Sequence, residues 1–280
     1  MRIATWNVNS IRARLPRVID WLASARVDVL ALQEIKCRPE QFPGAAFEAL
    51  GYHVSIWGTN QWNGVALITR EPATDVQAGF SGAPAWGVPP AVEPRALGGT
   101  VRGVRVWSLY VPNGRSVDDP HYRYKLAWLG RLAHEARSWL AEDPDAQIAL
   151  VGDWNVAPRD EDVWDIRAFA GETPVTPAER EAFGAFAAQG YRDVVRPLAP
   201  TGYTFWDYKH GRYPRDEGMR IDFVLGSPAL AARVEDAFID RAARSGDKPS
   251  DHVPVVVQLR EEDSAEQRDD WDEDDRPMVL

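Results

Sequence analysis

The chain predicts a layered α/β or α+β domain, on three observations. Short apolar, β-branched runs alternate with amphipathic helical patterns. The apolar runs end repeatedly on a carboxylate, a carboxamide or an imidazole. Of the 280 residues, 45% are hydrophobic, enough to bury one large core or at most two.

Strands are expected at residues 2–8, 27–33, 64–69, 105–111, 147–152, 220–225 and 253–259, where Val, Ile and Leu cluster between polar breaks. Helices are expected at 12–25, 122–140 and 177–189. In the second, Leu126, Leu129, Ala133, Ala136 and Leu140 recur at three- and four-residue spacing, which places them on one face. Residues 82–94, rich in Pro, Gly and Ala, read as a long loop, and 159–176 as a second irregular stretch. Loops this long inside a compact domain are usually functional or mobile. Trp6-Asn7-Val8 is echoed by Trp154-Asn155-Val156, as two similar halves would be if each delivered an Asn to a shared site.

The net charge of −10 argues at first against a polyanionic partner. Its distribution changes that reading. Residues 261–280 hold ten acidic and two basic side chains, so residues 1–260 carry only −2. A nearly neutral body is free to present a local basic face. The acidic tail is poor in apolar residues and is expected to be disordered, beside a catalytic domain at 1–260. Only four residues are lysine. Arginine suits bidentate phosphate contact better, but GC-biased coding is the simpler explanation, and the count alone proves nothing. The one cysteine, Cys37, rules out an internal disulfide. That fits a reducing, cytoplasmic setting, and fits a secreted protein without disulfides as well. No signal peptide is expected, and no apolar run approaches the roughly 18 residues of a spanning helix.

Five clusters stand where apolar runs stop: Trp6-Asn7-Val8-Asn9, Leu32-Gln33-Glu34, Gly152-Asp153-Trp154-Asn155, Arg220-Ile221-Asp222 and Ser250-Asp251-His252. Strands that end together would gather these groups at one sheet edge. Carboxylates and carboxamides without thiolate form a hard, all-oxygen donor set, which selects Mg²⁺, Mn²⁺ or Ca²⁺ over Zn²⁺. The chemistry such a set best supports is attack of an activated water on a phosphodiester. Each cluster also has a structural alternative. Glu34 alone reads as an exposed strand end, Asp153 with Asn155 as a turn, and Asp251 with His252 as a capping pair. Asp222, a charge inside an apolar run, needs a partner, which an arginine would also supply.

In this order and spacing the clusters resemble the exonuclease III branch of the endonuclease/exonuclease/phosphatase superfamily, over nearly all of residues 1–260. The resemblance is carried by the opening Thr5-Trp6-Asn7-Val8-Asn9-Ser10-Ile11-Arg12-Ala13-Arg14, by Leu32-Gln33-Glu34-Ile35-Lys36 and by Tyr110-Val111-Pro112-Asn113-Gly114. Gly152-Asp153-Trp154-Asn155-Val156-Ala157-Pro158 and Ser250-Asp251-His252-Val253-Pro254 complete it. It implies a deoxyribonuclease I-like, four-layer α/β sandwich: two mixed β-sheets packed face to face and flanked by helices. It also implies a Mg²⁺ site, with Mn²⁺ substituting, surrounded by Asn7, Glu34, Asp153, Asn155, Asp251 and His252. Asp153 would deprotonate the attacking water and Asn155 would hold that water or the phosphate. His252 would donate to a non-bridging oxygen, Asp222 would orient His252, and Tyr110 would contact the phosphate or the leaving oxygen.

The implied substrate is double-stranded DNA with abasic sites or damaged 3′ ends, cut by a monomer. Phe205, Met219 and Ile221, with Trp206 beside them, would form a small pocket for a sugar that lacks its base. Their alternative is a place in the core. Lys36, Arg95, Asn113, Arg115 and the loop 212–220 would contact the DNA backbone. Trp62, in Asn60-Gln61-Trp62-Asn63-Gly64, has no counterpart in the pattern. Two rival readings share the fold: a phosphoesterase acting on phosphoinositide, phospholipid or RNA, and a non-catalytic module. The second would be expected to have lost at least one of the catalytic residues.

Overall fold

The computed structural model describes residues 1–261. The expectation placed on the acidic tail lies outside them, apart from Glu261, whose carboxylate pairs with the N-terminal amine at 2.9 Å. Along the described residues run β1 (Arg2–Asn7), α1 (Ile11–Ala25), β2 (Val29–Gln33), α2 (Gly44–Glu48), β3 (His53–Trp57), β4 (Val65–Thr69), β5 (Thr74–Ala78), β6 (Ala85–Trp86), β7 (Ala91–Val92), β8 (Ala96–Val101), β9 (Val104–Tyr110), α3 (Pro120–Glu142), β10 (Gln147–Asp153), α4 (Pro177–Ala188), β11 (Arg192–Asp193), β12 (Asp222–Gly226), α5 (Pro228–Ala231), β13 (Val234–Ile239) and β14 (Val255–Leu259).

Two six-stranded sheets result, ordered β13-β14-β1-β2-β4-β3 and β11-β12-β10-β9-β8-β5. In each, one central pair is parallel, β1 with β2 and β9 with β10, and joined by a helix; the other pairs are antiparallel. Ile3, Val29, Ala31, Val65 and Leu67 from the first sheet meet Leu97, Val106, Ala149, Val151 and Val224 from the second, forming an inner apolar layer. Trp21 and Leu22 of α1 and Phe47 of α2 cover the outer face of the first sheet. Trp128, Leu129 and Leu132 of α3 and Phe186 of α4 cover that of the second. Alternating strand residues thus feed two apolar layers each, which gives the four-layer α/β sandwich.

Read as β5-β8-β9-β10-β12-β11, the second sheet repeats the first strand for strand. The chain therefore has two similar halves, but not through the Trp-Asn-Val echo. That echo links β1 to β10, whereas the repeat matches β1 with β9 and β2 with β10.

Every expected strand and helix is present, with ends moved by no more than two residues. The strands that were not expected, β3, β5, β8, β11 and β13, lack a clean apolar alternation. β5 is exposed throughout, β13 carries Glu235 and Asp236, and β8 contains Gly98 and Gly99. Four of the five, all but β8, are sheet edges, where one face or both meet water. Residues 82–94, expected as a plain loop, hold the β6–β7 hairpin. No helix among the described residues is long and apolar enough to cross a membrane.

The centre of the second sheet depends on one glycine. Gly152 in β10 has φ 150°, and a Cβ there would lie 1.9 Å from the Leu109 carbonyl oxygen of β9. Gly152→Ala must move two central strands just before the site. It is expected to cost about 2–5 kcal/mol of stability, the sum of backbone strain and overpacking. Chemical denaturation checks this, and a loss below about 1 kcal/mol would contradict it.

Candidate active site

The parallel pairs aim their carboxyl ends the same way, and β12 and β14 run antiparallel to them. The ends of β1, β2, β9 and β10 therefore meet the beginnings of β12 and β14 at one end of the sandwich. Asn7, Tyr110 and Asp153 close β1, β9 and β10; Glu34 follows β2; Asp222 opens β12; His252 precedes β14.

The Asn7 amide Nδ2 bridges the two acids, donating to Glu34 Oε1 at 2.8 Å and Asp153 Oδ2 at 2.9 Å. His252 Nδ1 lies 2.8 Å from Asp222 Oδ2, and its Nε2 lies 3.7 Å from Asp153 Oδ2. Ligand atoms of Glu34, Asp153 and His252 all fall within 4.8 Å of one another. Second contacts fix this group. Thr204 Oγ1 accepts from the Ile221 and Asp222 amides, both at 3.1 Å. Trp6 Nε1 donates to the His252 carbonyl at 3.1 Å, and Ser250 Oγ donates to the Asn7 carbonyl at 2.7 Å. Glu34 and Asn155 are both left-handed, with φ 51° and φ 50°. Backbone strain of this kind persists only where surrounding contacts hold it, and it concentrates at functional sites.

The electrostatics divide the group into roles. Burial pushes Asp153 up to about 7, helped by the Asp222 and Glu34 charges and opposed by His252. For Glu34, burial acts upward, but the Lys36 ammonium at 2.7 Å and the Asn7 amide outweigh it and hold the acid ionised. Burial would lower His252, yet Asp222 and Asp153 raise it to about 10, so it stays charged at neutral pH. An imidazolium pinned by Asp222 donates hydrogen bonds and does not ligate a cation. Burial and the facing Glu34 carboxylate keep the Tyr110 phenol protonated, well above its ordinary value.

The donors fit a hard divalent cation. Glu34, Asp153 and Asp222 set three carboxyl groups against the two cations Lys36 and His252, and the Glu34 and Asp153 oxygens face one another across the Asn7 amide. Cys37, the one thiol, is buried, and burial raises it further from ionisation. Three residues expected around the metal have other contacts: His252 is paired with Asp222, and Asn155 and Asp251 bond neighbouring amides. Asn155 Oδ1 accepts from Asn113 Nδ2 at 3.1 Å and its Nδ2 donates to the Val111 carbonyl at 3.0 Å. Asp251 stands outside the acid–imidazole cluster and accepts from Asn9 Nδ2 at 3.1 Å.

Beside Phe205, whose ring meets that of His252 edge-on at 4.9 Å, lies a cavity of about 140 Å³. Trp164, Phe169, Phe205 and Met219 supply its apolar wall, and Asp207, Arg212 and Glu217 its polar one. Phe205 and Met219 are where they were expected. Ile221 packs into the small core cluster behind the wall. Trp206 is a correction: it is fully buried in the main core and lines no part of the cavity. Trp164 and Phe169 were missed, since they come from the irregular stretch 159–176. Their only signal was the short apolar run Val163, Trp164, Ile166, Ala168 and Phe169 inside an otherwise polar stretch.

Arg95 is a second correction. It is buried, paired with Glu93 at 2.7 Å and stacked over the Tyr110 ring at 4.8 Å, so it braces Tyr110 and offers nothing at the surface. Lys36 is partly buried between Glu34 and Asn9 Oδ1. Asn113 and Arg115 are exposed on the rim, as is Trp62, one residue before the Asn63 carbonyl that accepts from the Lys36 amide at 3.0 Å.

Residues 4–252 match the model of the "Endonuclease/Exonuclease/phosphatase family". The chain belongs to this family. Within the endonuclease/exonuclease/phosphatase family it is 28% identical to "Exodeoxyribonuclease III" of Haemophilus influenzae, over 93% of this chain and 100% of that protein. It superposes on an AP endonuclease from Archaeoglobus fulgidus with TM-score 0.86 at 37% identity, covering 92% of this chain and 99% of that one. A Neisseria 3′ phosphatase bound to a product DNA hairpin gives TM-score 0.87 at 35% identity, with 93% and 99% covered.

Proposed function

We propose that the chain is a divalent-metal-dependent DNA repair nuclease that incises the backbone 5′ to abasic sites and trims 3′ ends. One observation carries this reading: an Asp222–His252–Asp153–Asn7–Glu34 chain of contacts runs beside a small apolar cavity at one edge of the sandwich. The exodeoxyribonuclease, AP endonuclease and 3′ phosphatase relatives support it.

Asp153 is the group that takes the proton from the attacking water. It is buried, its basicity is raised towards neutrality, and Asn7 fixes its orientation. His252, charged and oriented by Asp222, donates to a non-bridging phosphate oxygen, where charge grows in the transition state. The Asn113–Asn155 amide pair stands at the same edge and positions the phosphate or the water. Tyr110 stays protonated and offers its hydroxyl to the phosphate or the leaving oxygen. Glu34, with Asn7 and Asp153 beside it, would hold the cation, Mg²⁺ or in its place Mn²⁺. A cation held there would supply charge neutralisation at the phosphate and Lewis-acid help to the leaving oxygen.

The cavity of about 140 Å³ beside Phe205 and Met219 is of the size and polarity to take a sugar without a base. The partner is thus duplex DNA with an abasic site or a damaged 3′ end, met by a monomer in the cytoplasm. Phe205→Ala is expected to lower kcat/KM on an abasic duplex by about tenfold, through lost apolar contact with the sugar. Paired assays with an abasic duplex and a duplex with a recessed 3′ end check this. An unchanged abasic rate would show that the cavity does not read the sugar.

A further inference from the structure

The hydrolysis steps above leave one buried charged pair unused. Lys125 of α3 and Glu179 of α4 form an ion pair in which both side chains are wholly buried, at 0% exposure. Taking two such charges out of water is costly, and their mutual attraction repays that cost only when the remaining donors are used. Here they are. Lys125 Nζ donates to the Asn155 carbonyl at 2.6 Å, the Asn113 carbonyl at 3.2 Å, Thr173 Oγ1 at 3.1 Å and Glu179 Oε1. An ammonium has three N–H groups for these four acceptors, so one is shared and none is left without a partner.

These are the backbone carbonyls of Asn113 and Asn155, whose side-chain amides bond each other at 3.1 Å. Asn155 holds a left-handed backbone, φ 50°, directly after the strand that delivers Asp153. Gly114, with φ 92°, closes over the Lys125 stem; a Cβ there would stand 3.2 Å from Lys125 Cδ. The second Glu179 oxygen accepts from the Thr176 amide at 3.1 Å and hydroxyl at 2.7 Å, which caps α4. The ion pair therefore ties two helices to the two loops that carry Asn113 and Asn155.

We propose that Lys125 is a positioning residue for the hydrolysis, acting through the Asn113–Asn155 pair, with Glu179 keeping it charged and oriented. The inference rests on the nuclease reading. Misplacing a reacting group by about 1 Å costs on the order of 100-fold in rate. The test compares wild type, Lys125→Met and the double variant Lys125→Met/Glu179→Gln on an abasic duplex, with Mg²⁺, recording kcat, KM and the unfolding temperature of each. Lys125→Met is expected to lower kcat by about 30-fold or more, to change KM by less than about threefold, and to lower the unfolding temperature. The double variant removes the stranded buried carboxylate, so its unfolding temperature recovers while kcat stays low. Recovery of kcat together with stability would make the pair a purely structural device and overturn the proposal. So would a Lys125→Met protein whose kcat is unchanged, or whose loss lies in KM alone. An inactive wild type would instead overturn the nuclease reading beneath it, and this inference with it.

Discussion

Replacing Asp153 by Asn is expected to lower kcat by about three orders of magnitude on both abasic and recessed duplexes. Binding of the duplex should change by less than about threefold. The substitution keeps size and leaves an oxygen to accept from the Asn7 amide, but it removes the basic lone pair aimed at the water position. Asp153 is the one site carboxylate that burial and the neighbouring Asp222 and Glu34 charges push up to about 7, whereas Glu34 is held ionised by Lys36. Neutralising a buried acid that repels two others should not lower the unfolding temperature. Rate, duplex affinity and thermal stability measured together separate the two possibilities. A large rate loss at unchanged stability supports Asp153 as the base. A loss that tracks unfolding makes it a structural residue.

The second large effect is expected at Glu34. In Glu34→Gln the concentration of Mg²⁺ needed for half-maximal activity should rise by at least about tenfold, and activity at saturating metal should recover only in part. The charge that would hold the cation is gone, and the Lys36 ammonium, 2.7 Å away in the parent, is left facing the site unpaired. Metal titration of activity reads the first effect. A metal-induced rise in unfolding temperature, present in the parent and weakened in the variant, reads it without turnover. A variant with the parent's metal response would move the cation away from Glu34.

The site was more legible in the sequence than the walls around it, and the reason is geometric. A strand announces its end when an apolar run stops, so Asn7, Glu34 and Asp153 could be grouped from pattern alone; Asp222 and His252 stand where strands begin, and the five meet at one end of the sandwich from both sheets. Whether an individual side chain then faces water or the core depends on tertiary packing. Trp206 reads as a pocket wall and is in fact core; Arg95 reads as a phosphate contact and in fact supports Tyr110. Lys125 is the clearest case. A lysine in an amphipathic helix reads as solvent-facing, and Leu126 beside it reads as core, yet Lys125 is fully buried and Leu126 only half so. Its partner Glu179 lies 54 residues away on another helix, out of reach of any periodicity. Trp164 and Phe169 escaped for a related cause, since they sit on short 3₁₀ turns and connecting loop without a period to mark a buried face.

The most direct measurement is incision of a duplex oligonucleotide carrying a single abasic site, with Mg²⁺, with Mn²⁺ and with EDTA, beside an undamaged duplex with a recessed 3′ end. The site described here predicts a nick immediately 5′ to the abasic position and shortening of the recessed strand, both abolished by EDTA. No cleavage of either duplex with either metal would contradict it and leave the same carboxylates and imidazole to a non-DNA phosphoester.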